Sequence, residues 1–385
     1  MSKGSKQRYS FEPDYAVAPG ETLSETLESL GMSQRDLALR TGISAKTINE
    51  IVKGKAPITP DTSVLLERVT GVPSRMWNNL EANYREQLAK IADRQRLQVY
   101  LEWLKSIPVK ELINRGAISA QPDKVSLLNA VLSFFGVASH ERWNALWMQP
   151  EASYRKSATF EAQPGAVATW LRLGELKAQS VSTAPFDKDR FKKALKQIRS
   201  LTNQPPSVFE PKMIELCASA GVAVVFVREI KKCPTSGVAR WLTTDKALIQ
   251  LSLRHKSDDH FWFSFFHEAG HILNDAKKEV FIHDGDEVEE REKKANRFAA
   301  NFLIPPSRAV DLRMLKTKTA IREFADSIGI APGIVVGRMQ KDQLIPYSHM
   351  NDLKRRLDWS ENCSLRDRST ASPTSPSHRA SRRKT

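Results

Sequence analysis

The hydrophobic residues of the first 90 positions recur at helical spacing and are interrupted by glycines. Apolar stripes run through ETLSETLESL, RDLALR and KTINEIV, and these segments end at Gly31, Gly42 and Gly54. A spacing of three to four residues places apolar side chains on one face of a helix, and a glycine after the last of them is a typical stop. Ser33 and Ser44 stand where two helix N-caps would lie. The pattern predicts a compact bundle of short helices.

The pattern changes from helical to strand-like after about residue 219. Helical spacing first continues through a tryptophan-rich stretch, where Trp103, Trp143 and Trp147 suit a packed core. Two more helices are predicted near residues 188–201 and 212–219. The short apolar runs GVAVVFVRE, GVARWLT and KALIQLS then predict three strands. We therefore expect a small sheet immediately before the helical segment FFHEAGHIL.

Length and composition favour a globular chain of several domains. The chain has 385 residues, of which 41% are hydrophobic, enough to fill two or three cores. It has no apolar run of about eighteen residues and no signal-peptide pattern, so we expect a cytoplasmic protein with no membrane partner. The three cysteines form no Cys-x-x-Cys pair. Any metal site must therefore use histidine and carboxylate ligands.

The net charge of +15 changes this interpretation less than its size suggests. The basic excess lies mainly in residues 91–260 and in the tail, whereas residues 1–90 are nearly balanced. A solvated surface with a basic, disordered end accounts for the excess as well as contact with phosphates does. The charge alone does not assign a nucleic-acid partner.

Residues 34–53 have the spacing of a helix-turn-helix. Ala38 is small where two helices must cross, Gly42 supplies a turn with positive φ, and Ile48 is the apolar centre of the second helix. The segment resembles the XRE-type DNA-binding domains, and the extension that ends in WNNLEANY is similar to the HigA antitoxin subgroup. The resemblance implies a double-stranded DNA operator as partner, and a homodimer if that operator is palindromic.

The helix that follows Ser44 is the expected recognition helix. Asn49 could read adenine and Lys46 guanine in the major groove. The full set of expected DNA-contacting residues is Gln34, Ser44, Ala45, Lys46, Asn49 and Lys53. The alternative is a bundle that serves protein contact only, which the balanced charge of this region favours.

The stretch FFHEAGHIL places two histidines one helical turn apart. His267 and His271 project from the same face, so both imidazoles could approach one cation at about 2.0–2.1 Å. Glu268 lies beside them, where a general base could take a proton from metal-bound water. Phe265 and Phe266 are expected to pack the helix. Because this short pattern also occurs on solvated helices, a further ligand is needed.

A second helix downstream supplies the missing groups. The segment EEREKKANRFAANFLIP has an apolar face that could pack on the first helix. Glu292 would be the third ligand and would leave a fourth position open, as catalytic zinc requires. Asn296, one turn later, could hydrogen-bond a liganding histidine. Glu289 and Glu290 are rival ligands, and the packing register favours Glu292.

These motifs together resemble the ImmA/IrrE family of zinc metallopeptidases. FWFSFFHEAGHIL and ANRFAANFLIP carry the likeness, and SGVARWLTTDKALIQLSLR and FADSIGIAPGIVVGRMQ resemble the family's flanking elements over residues 153–357. The resemblance implies a Zn²⁺ site on His267, His271 and Glu292, with Glu268 as the catalytic residue. It also implies a protein substrate that is a DNA-binding repressor, cut in response to stress or to a mobile-element signal.

Two further hypotheses concern the surroundings of this site. Residues 246–252 are expected to form an edge strand that holds an extended substrate by backbone pairing. Arg254 and His255, in the loop before the helix, are candidates to assist an oxyanion. His260 and His283 are expected to be surface or loop histidines.

The fold class that follows is multidomain and mainly α. An all-α helix-turn-helix bundle is joined through a helical linker to an α+β zincin-like peptidase domain with a small sheet of about three strands. The expected boundaries are a flexible lead at 1–19, the helix-turn-helix domain at 20–90, the linker at 91–152, the peptidase domain at 153–357 and a disordered basic tail at 358–385.

The leading functional hypothesis is a regulatory zinc endopeptidase that binds DNA and cuts a repressor or another partner protein. The alternative is a HigA-like antitoxin or autorepressor whose peptidase-like domain senses a signal or binds a cognate toxin without proteolysis. A third hypothesis is self-cleavage in the basic linker. The scissile bond, the operator and the activating signal stay open at this stage.

Overall fold

The computed structural model describes residues 15–148, 163–275, 285–360 and 365–367, without the side chains of residues 285–288. The chain divides into two compact units, Met1–Glu102 and Trp103–Thr385. The domain boundaries expected from the sequence stay predictions. Every helix in the described ranges is too short or too polar to cross a membrane.

Residues 15–102, the described part of the first unit, form helices and connecting turns without strands, as the spacing of the apolar residues predicts. Its core is built around eight buried side chains that include Leu37, Ile48 and Trp77. Gly20 allows α1 and α3 to touch, because a Cβ at this position would lie 2.3 Å from the carbonyl oxygen of Ile51. The helices of this unit are α1 Pro19–Ser29, α2 Gln34–Thr41, α3 Ala45–Val52, α4 Pro60–Thr70 and α5 Ser74–Leu97.

The second unit is an α+β assembly, so the predicted fold class is confirmed. Its helices in the described ranges are α6 Val109–Asn114, α7 Lys124–Phe135, α8 His140–Trp147, α9 Pro164–Gln179, α10 Lys188–Ser200, α11 Pro206–Ser219, α12 Asp258–Asn274, α13 Gly285–Leu303, α14 Pro306–Ala309, α15 Lys318–Ile328 and α16 Pro332–Lys341. The strands are β1 Val222–Phe226, β2 Gly237–Trp241, β3 Ala247–Leu251, β4 Leu357–Trp359 and β5 Leu365–Asp367. Single 3₁₀ segments span Gln98–Ser106, Val310–Met314 and Asn351–Leu353.

The main sheet has the strand order β1, β3, β2. The central strand β3 pairs parallel with β1 and antiparallel with β2. The prediction that residues 246–252 form an edge strand was therefore wrong. All five residues of β3 are buried because the strand is paired on both sides and covered on both faces. The continuous run ALIQL, without polar alternation, is typical of such a central strand.

Helices cover both faces of this sheet. Val222 and Val224 of β1 and Ile249 of β3 join the core that α12 contributes to. On the opposite face, Gln250 lies against Gly174 of α9 and donates a hydrogen bond to a carbonyl oxygen of that helix. The sheet therefore holds α12 in place from one side.

The C-terminal elements complete the second unit. Strands β4 and β5 pair as an antiparallel ribbon, so strand structure is present at residues 358–359 and 365–367. The expectation of a disordered tail beginning at residue 358 was wrong for these strands, because Leu357 and Leu365 are buried in the core. Residues 368–385 lie outside the described ranges.

Candidate functional site

Three side chains from α12 and α13 converge on one point. The Nε2 atoms of His267 and His271 lie 3.0 Å apart. The carboxylate of Glu292 reaches both nitrogens at 3.3 Å. The two histidines come from successive turns of α12, and α13 packs along that helix to bring in Glu292. The ligand atoms of all three residues lie within 4.8 Å of one another, so they could hold one metal ion.

A second hydrogen bond fixes the orientation of each histidine. Nδ1 of His267 lies 3.1 Å from Oδ1 of Asn296, and Nδ1 of His271 lies 2.7 Å from Oδ2 of Asp275. An oxygen acceptor at Nδ1 holds the proton there and leaves the Nε2 lone pair for a metal. Asp275, the C-cap of α12, was not identified from the sequence, although its position four residues after His271 was a usable signal.

The local field favours positive charge at the point where these groups meet. Burial opposes protonation of His271, but its hydrogen bonds to Asp275 and Glu292 outweigh this effect and raise the pKa of His271 to about 10. The hydrogen bonds from His267 and His271 hold the pKa of Glu292 well below its usual range. The cluster therefore stabilises a cation, either a proton or a metal.

The donor set fits zinc. Two imidazole nitrogens and one carboxylate form a common set of protein ligands in catalytic zinc sites, which keep one position for water or substrate. Bonds of about 2.0–2.1 Å in a tetrahedral site separate the ligand atoms by about 3.3 Å. The separations here are 3.0 and 3.3 Å. The three ligand atoms therefore stand close to the arrangement that a bound Zn²⁺ requires.

Glu268 lies between the two histidines on α12 and is 8% exposed. The backbone N–H of Ala239 in β2 lies near its carboxylate and favours the charged form. Gly237 permits this close approach, because a Cβ there would lie 2.8 Å from Oε1 of Glu268. Burial raises the pKa of Glu268. The carboxylate therefore accepts and retains a proton more readily than an exposed glutamate, which suits a general base.

The edge strand beside this carboxylate is β2. Ser236 and Leu242 flank the strand and pair with the neighbouring strand through their backbone groups, and the antiparallel register continues that alternation along β2. The N–H and C=O groups of Gly237 and Ala239 consequently point to the outer edge. Glu268 lies beside these two residues.

The other sequence candidates lie elsewhere. Glu289 pairs with Lys293 at 3.0 Å, and Glu290 is exposed. His255 stacks on His260 with a centroid distance of 4.2 Å, about two helical turns before the metal-ligand cluster. The hypothesis that Arg254 and His255 assist an oxyanion gains no support from this placement. His283 lies outside the described residues.

The helix-turn-helix of the first unit is capped at each break. The Ser33 side chain accepts a hydrogen bond from the backbone N–H of Asp36, and the Asp36 carboxylate accepts one from the backbone N–H of Ser33. Together they form a capping box at the start of α2. Gly42 closes α2 with φ of 74°. The Ser44 hydroxyl accepts from the backbone N–H of Thr47 at 3.0 Å and starts α3. These caps fix the angle between the two helices.

Most of the expected DNA-contacting residues lie on the solvent side of α3. Gln34, at the start of α2, is half-buried. Lys46 lies 4.0 Å from Glu50 on the next turn, so its ammonium is only loosely held. The exposed members of the set are Ser44, Ala45, Lys46, Asn49 and Lys53.

Two family models match the chain, one in each unit. The model described as Helix-turn-helix matches residues 23–77, from α1 to the first turn of α5. The model described as IrrE N-terminal-like domain matches residues 223–326, from β1 into α15. The second match contains all of the converging metal-ligand side chains together with Glu268.

Similar proteins cover a smaller part of the chain. Virulence-associated protein I of Dichelobacter nodosus is 34% identical over 87 residues, which is 22% of this chain and 80% of that protein. The uncharacterized HTH-type transcriptional regulator YddM of Escherichia coli (strain K12) is 35% identical over 63 residues, 16% of this chain and 67% of that protein. A solved addiction module antidote protein of a HigA family from Coxiella burnetii has 30% identity and a TM-score of 0.21, covering 22% of this chain and 91% of its own.

Proposed function

We propose that this chain is a DNA-binding regulatory zinc endopeptidase. Its N-terminal domain is of the XRE-type helix-turn-helix family, and residues 223–326 are of the IrrE/ImmA-like peptidase family. Its substrate is a transcriptional repressor or another partner protein. The observation that carries this proposal is the convergence of His267, His271 and Glu292 beside the buried carboxylate of Glu268. A purely structural metal site would have no use for that adjacent base.

The residues of the chain divide the chemistry between them. Zn²⁺ held by the three ligands would polarise the peptide carbonyl and lower the pKa of a water molecule. Glu268 accepts the proton of the attacking water and delivers it to the leaving amine. Gly237 leaves the space that this carboxylate occupies beside β2. Asn296 and Asp275 keep the two imidazoles aligned through their Nδ1 atoms.

The substrate chain would lie along the outer edge of β2. Gly237 and Ala239 direct backbone groups to that edge, and the same two residues contact Glu268. An extended peptide that pairs with this edge would carry its backbone past the carboxylate and the metal ligands. This placement replaces the earlier hypothesis of residues 246–252 as the docking strand.

The helix-turn-helix brings the peptidase to sites of gene control. Lys46 and Asn49 lie on one exposed face of α3, and Lys53 follows at the end of the helix. This face suits insertion into the major groove. Asn49→Ala should change which duplex sequences are bound, whereas Lys53→Ala should weaken binding to all sequences and reduce its salt dependence. Selection of bound fragments from genomic DNA measures both effects.

Comparison of cells that express the wild type or Glu268→Gln tests the peptidase. We expect a fragment of a repressor or partner protein in the proteome of wild-type cells and none with Glu268→Gln. Glu323→Gln, on the exposed face of α15, is the matched control and should cut like the wild type. The purified wild type should hold one zinc per chain, and His267→Ala should lose it.

Two other outcomes would redirect the proposal. If the wild type and Glu268→Gln give the same proteome and neither holds zinc, the antitoxin or autorepressor hypothesis replaces the enzyme. Intact-mass measurement over time decides self-cleavage, because fragmentation of the wild type but not of Glu268→Gln would identify the chain as its own substrate.

A further inference from the structure

A groove lies between the C-terminal end of α12 and the outer face of α13. Its volume is about 620 Å³, within the range of about 300–1,000 Å³ that is common for sites that hold organic ligands. Lys294, Arg297 and Asn301 follow one another at helical spacing on the exposed face of α13. The described residues that line the groove are Asn274, Lys294, Arg297, Phe298, Asn301 and Phe302.

The floor of this groove is aromatic. Phe298 and Phe302 are half-buried, and their ring centroids lie 5.4 Å apart. Phe302 also stacks on the buried ring of Phe266 at a centroid distance of 5.0 Å. Phe298 lies against Gly270, where a Cβ would be 3.1 Å from the ring. Packing against α12 therefore holds both rings, while their other side lines the groove.

The rim of the groove carries two positive charges. Lys294 and Arg297 are both exposed, and neither forms an ion pair within the described part of the chain. The adjacent Lys293, in contrast, pairs with Glu289 at 3.0 Å. No carboxylate is among the described residues that line the groove. Charge complementarity beside an aromatic floor therefore favours an acidic ligand that also has an apolar side chain.

We propose that this groove is a docking site for an acidic segment of the protein substrate, separate from the segment that is cut. Lys294 lies two residues after Glu292, and Arg297 directly follows Asn296. Both basic residues are about half a turn around α13 from Glu292, on the side away from the metal ligands. A substrate would therefore contact this unit at two places. The inference rests on the proposed peptidase function and adds a second determinant of substrate choice.

The groups around the groove define the chemistry of the docked segment. Its carboxylates would accept hydrogen bonds from Lys294 and Arg297, which are charge-assisted and therefore stronger than neutral ones. A large apolar side chain of the segment would cover Phe298 and Phe302 and remove their outer surface from water. Asn301 is exposed, and its amide can both donate to and accept from the backbone of the segment.

Peptide binding measures this docking without cleavage. The probe is a fluorescent nine-residue peptide of sequence GSEELEESG, and two comparison peptides replace its glutamates by glutamine or its leucine by alanine. By fluorescence anisotropy, the full-length protein loaded with Zn²⁺ should bind the probe about tenfold more tightly than either comparison peptide. Lys294→Ala and Arg297→Ala should each weaken binding of the probe by about tenfold.

Lys293→Ala is the matched control, because Lys293 is an exposed lysine of the same helix that does not line the groove. It should bind the probe like the wild type, and unchanged circular dichroism should confirm that each variant is folded. Equal binding of the three peptides, or equal losses in Lys293→Ala and Lys294→Ala, would overturn the assignment. A single-stranded oligonucleotide that binds through Lys294 and Arg297 where the acidic peptide does not would assign the groove to nucleic acid instead.

Cleavage kinetics separate failure of the docking site from failure of the peptidase. The substrates are the protein identified by the proteome comparison and a short peptide that spans only its cut bond. In the double variant Lys294→Ala, Arg297→Ala, KM for the whole protein should rise about tenfold more than KM for the short peptide. Equal changes in the two KM values would reject the docking site alone. Cleavage by the wild type no greater than that by Glu268→Gln would reject the peptidase, and the substrate role of the groove with it.

Discussion

The side chain of Asp275 is outside the three proposed metal ligands but orients one of them, His271. Its carboxylate lies 2.7 Å from Nδ1 of His271 and leaves Nε2 as the nitrogen that would face a bound metal. The interaction spans one turn of α12 and therefore forms within one helix and its C-cap. The affinity of His271 for the proposed zinc should consequently depend on a residue that would not itself bind the metal.

Asp275→Asn should weaken zinc binding by about 10- to 100-fold. The amide removes the negative charge that makes the imidazole a better donor and that orients its ring. Competition with a zinc chelator measures the affinity. Asp326→Asn, on the exposed side of α15, should leave the affinity unchanged, and an equal loss in both variants would contradict the role of Asp275.

Some residues of the site were open to prediction from the sequence and others were not. His267, Glu268 and His271 lie within one turn of α12, and Glu292 and Asn296 share the next helix. Helical spacing alone therefore predicts that the members of each group lie close together. The contact between Gly237 and Glu268 joins a strand to a helix 31 positions later. Strand register and packing determine that contact, and neither has a signature in a single sequence.

Among the elements, α12 is the one that the rest of the second unit positions. Its N-terminal end is held by Asp258 and Asp259, which lie directly against Gly333 and Gly337 of α16. Asp259 also pairs with Lys354 at 2.7 Å. The pattern GIVVG therefore marks a close helix contact at which any side chain would meet a carboxylate.

Gly333→Ala should lower the free energy of unfolding by about 1–3 kcal/mol. The new Cβ would lie 2.4 Å from Oδ1 of Asp258, so α16 must move away from α12. In an exposed helix the same change stabilises by about 1 kcal/mol. Urea unfolding shows whether the variant is less or more stable than the wild type. A more stable variant would contradict the close contact between α12 and α16.

Asp258 should make stability depend on pH. Burial, and then the charge of Asp259, raises the pKa of Asp258 to about 7, above the value of about 3.9 in an unfolded chain. The folded state then binds the proton more tightly, so this contribution is complete below about pH 4 and is lost as the pH rises through about 7.

Asp258→Asn tests this pH dependence. Urea unfolding in the presence of a chelator should show the variant gaining about 2–4 kcal/mol relative to the wild type between pH 4 and pH 8. Asp326→Asn serves again as the exposed control and should show no such gain. A constant difference between Asp258→Asn and the wild type at both pH values would contradict the raised pKa.

The order of strands illustrates why element positions are harder to predict than element types. The sequence run KALIQLS correctly predicted a strand, since β3 spans Ala247–Leu251. It did not reveal that the parallel partner β1 lies on one side and β2 on the other. That order depends on the crossover through residues 227–246, whose path is determined by packing.

At the scale of the whole molecule, the two units have separate cores. The first is built around buried residues such as Leu23 and Trp77, and the second around the sheet and α12. Each core can therefore unfold as its own cooperative unit. The boundary between the two units is harder to predict from the sequence than their cores. Helical structure continues across residues 74–106 without a break.

Zinc should stabilise only the larger unit. A ligand that binds the folded state raises stability by mass action, by about 2.7 kcal/mol at a hundredfold excess over the dissociation constant. Calorimetry should show two transitions, of which one moves upward with Zn²⁺ and the other stays. His267→Ala should abolish the shift, and a shift of both transitions would contradict independent cores.

Arg199 of α10 holds the C-terminal end of α13 by hydrogen bonds. Its guanidinium donates to the carbonyl oxygens of Phe302 and Leu303, the last residues of α13, and to that of Ile328 at the end of α15. Glu292 stands eleven residues before Leu303, about 16 Å from this anchor. Leu303 would therefore be the pivot of any rotation of α13. A rotation of about 4° about that pivot would displace the Glu292 carboxylate by about 1 Å, half the length of a zinc–oxygen bond.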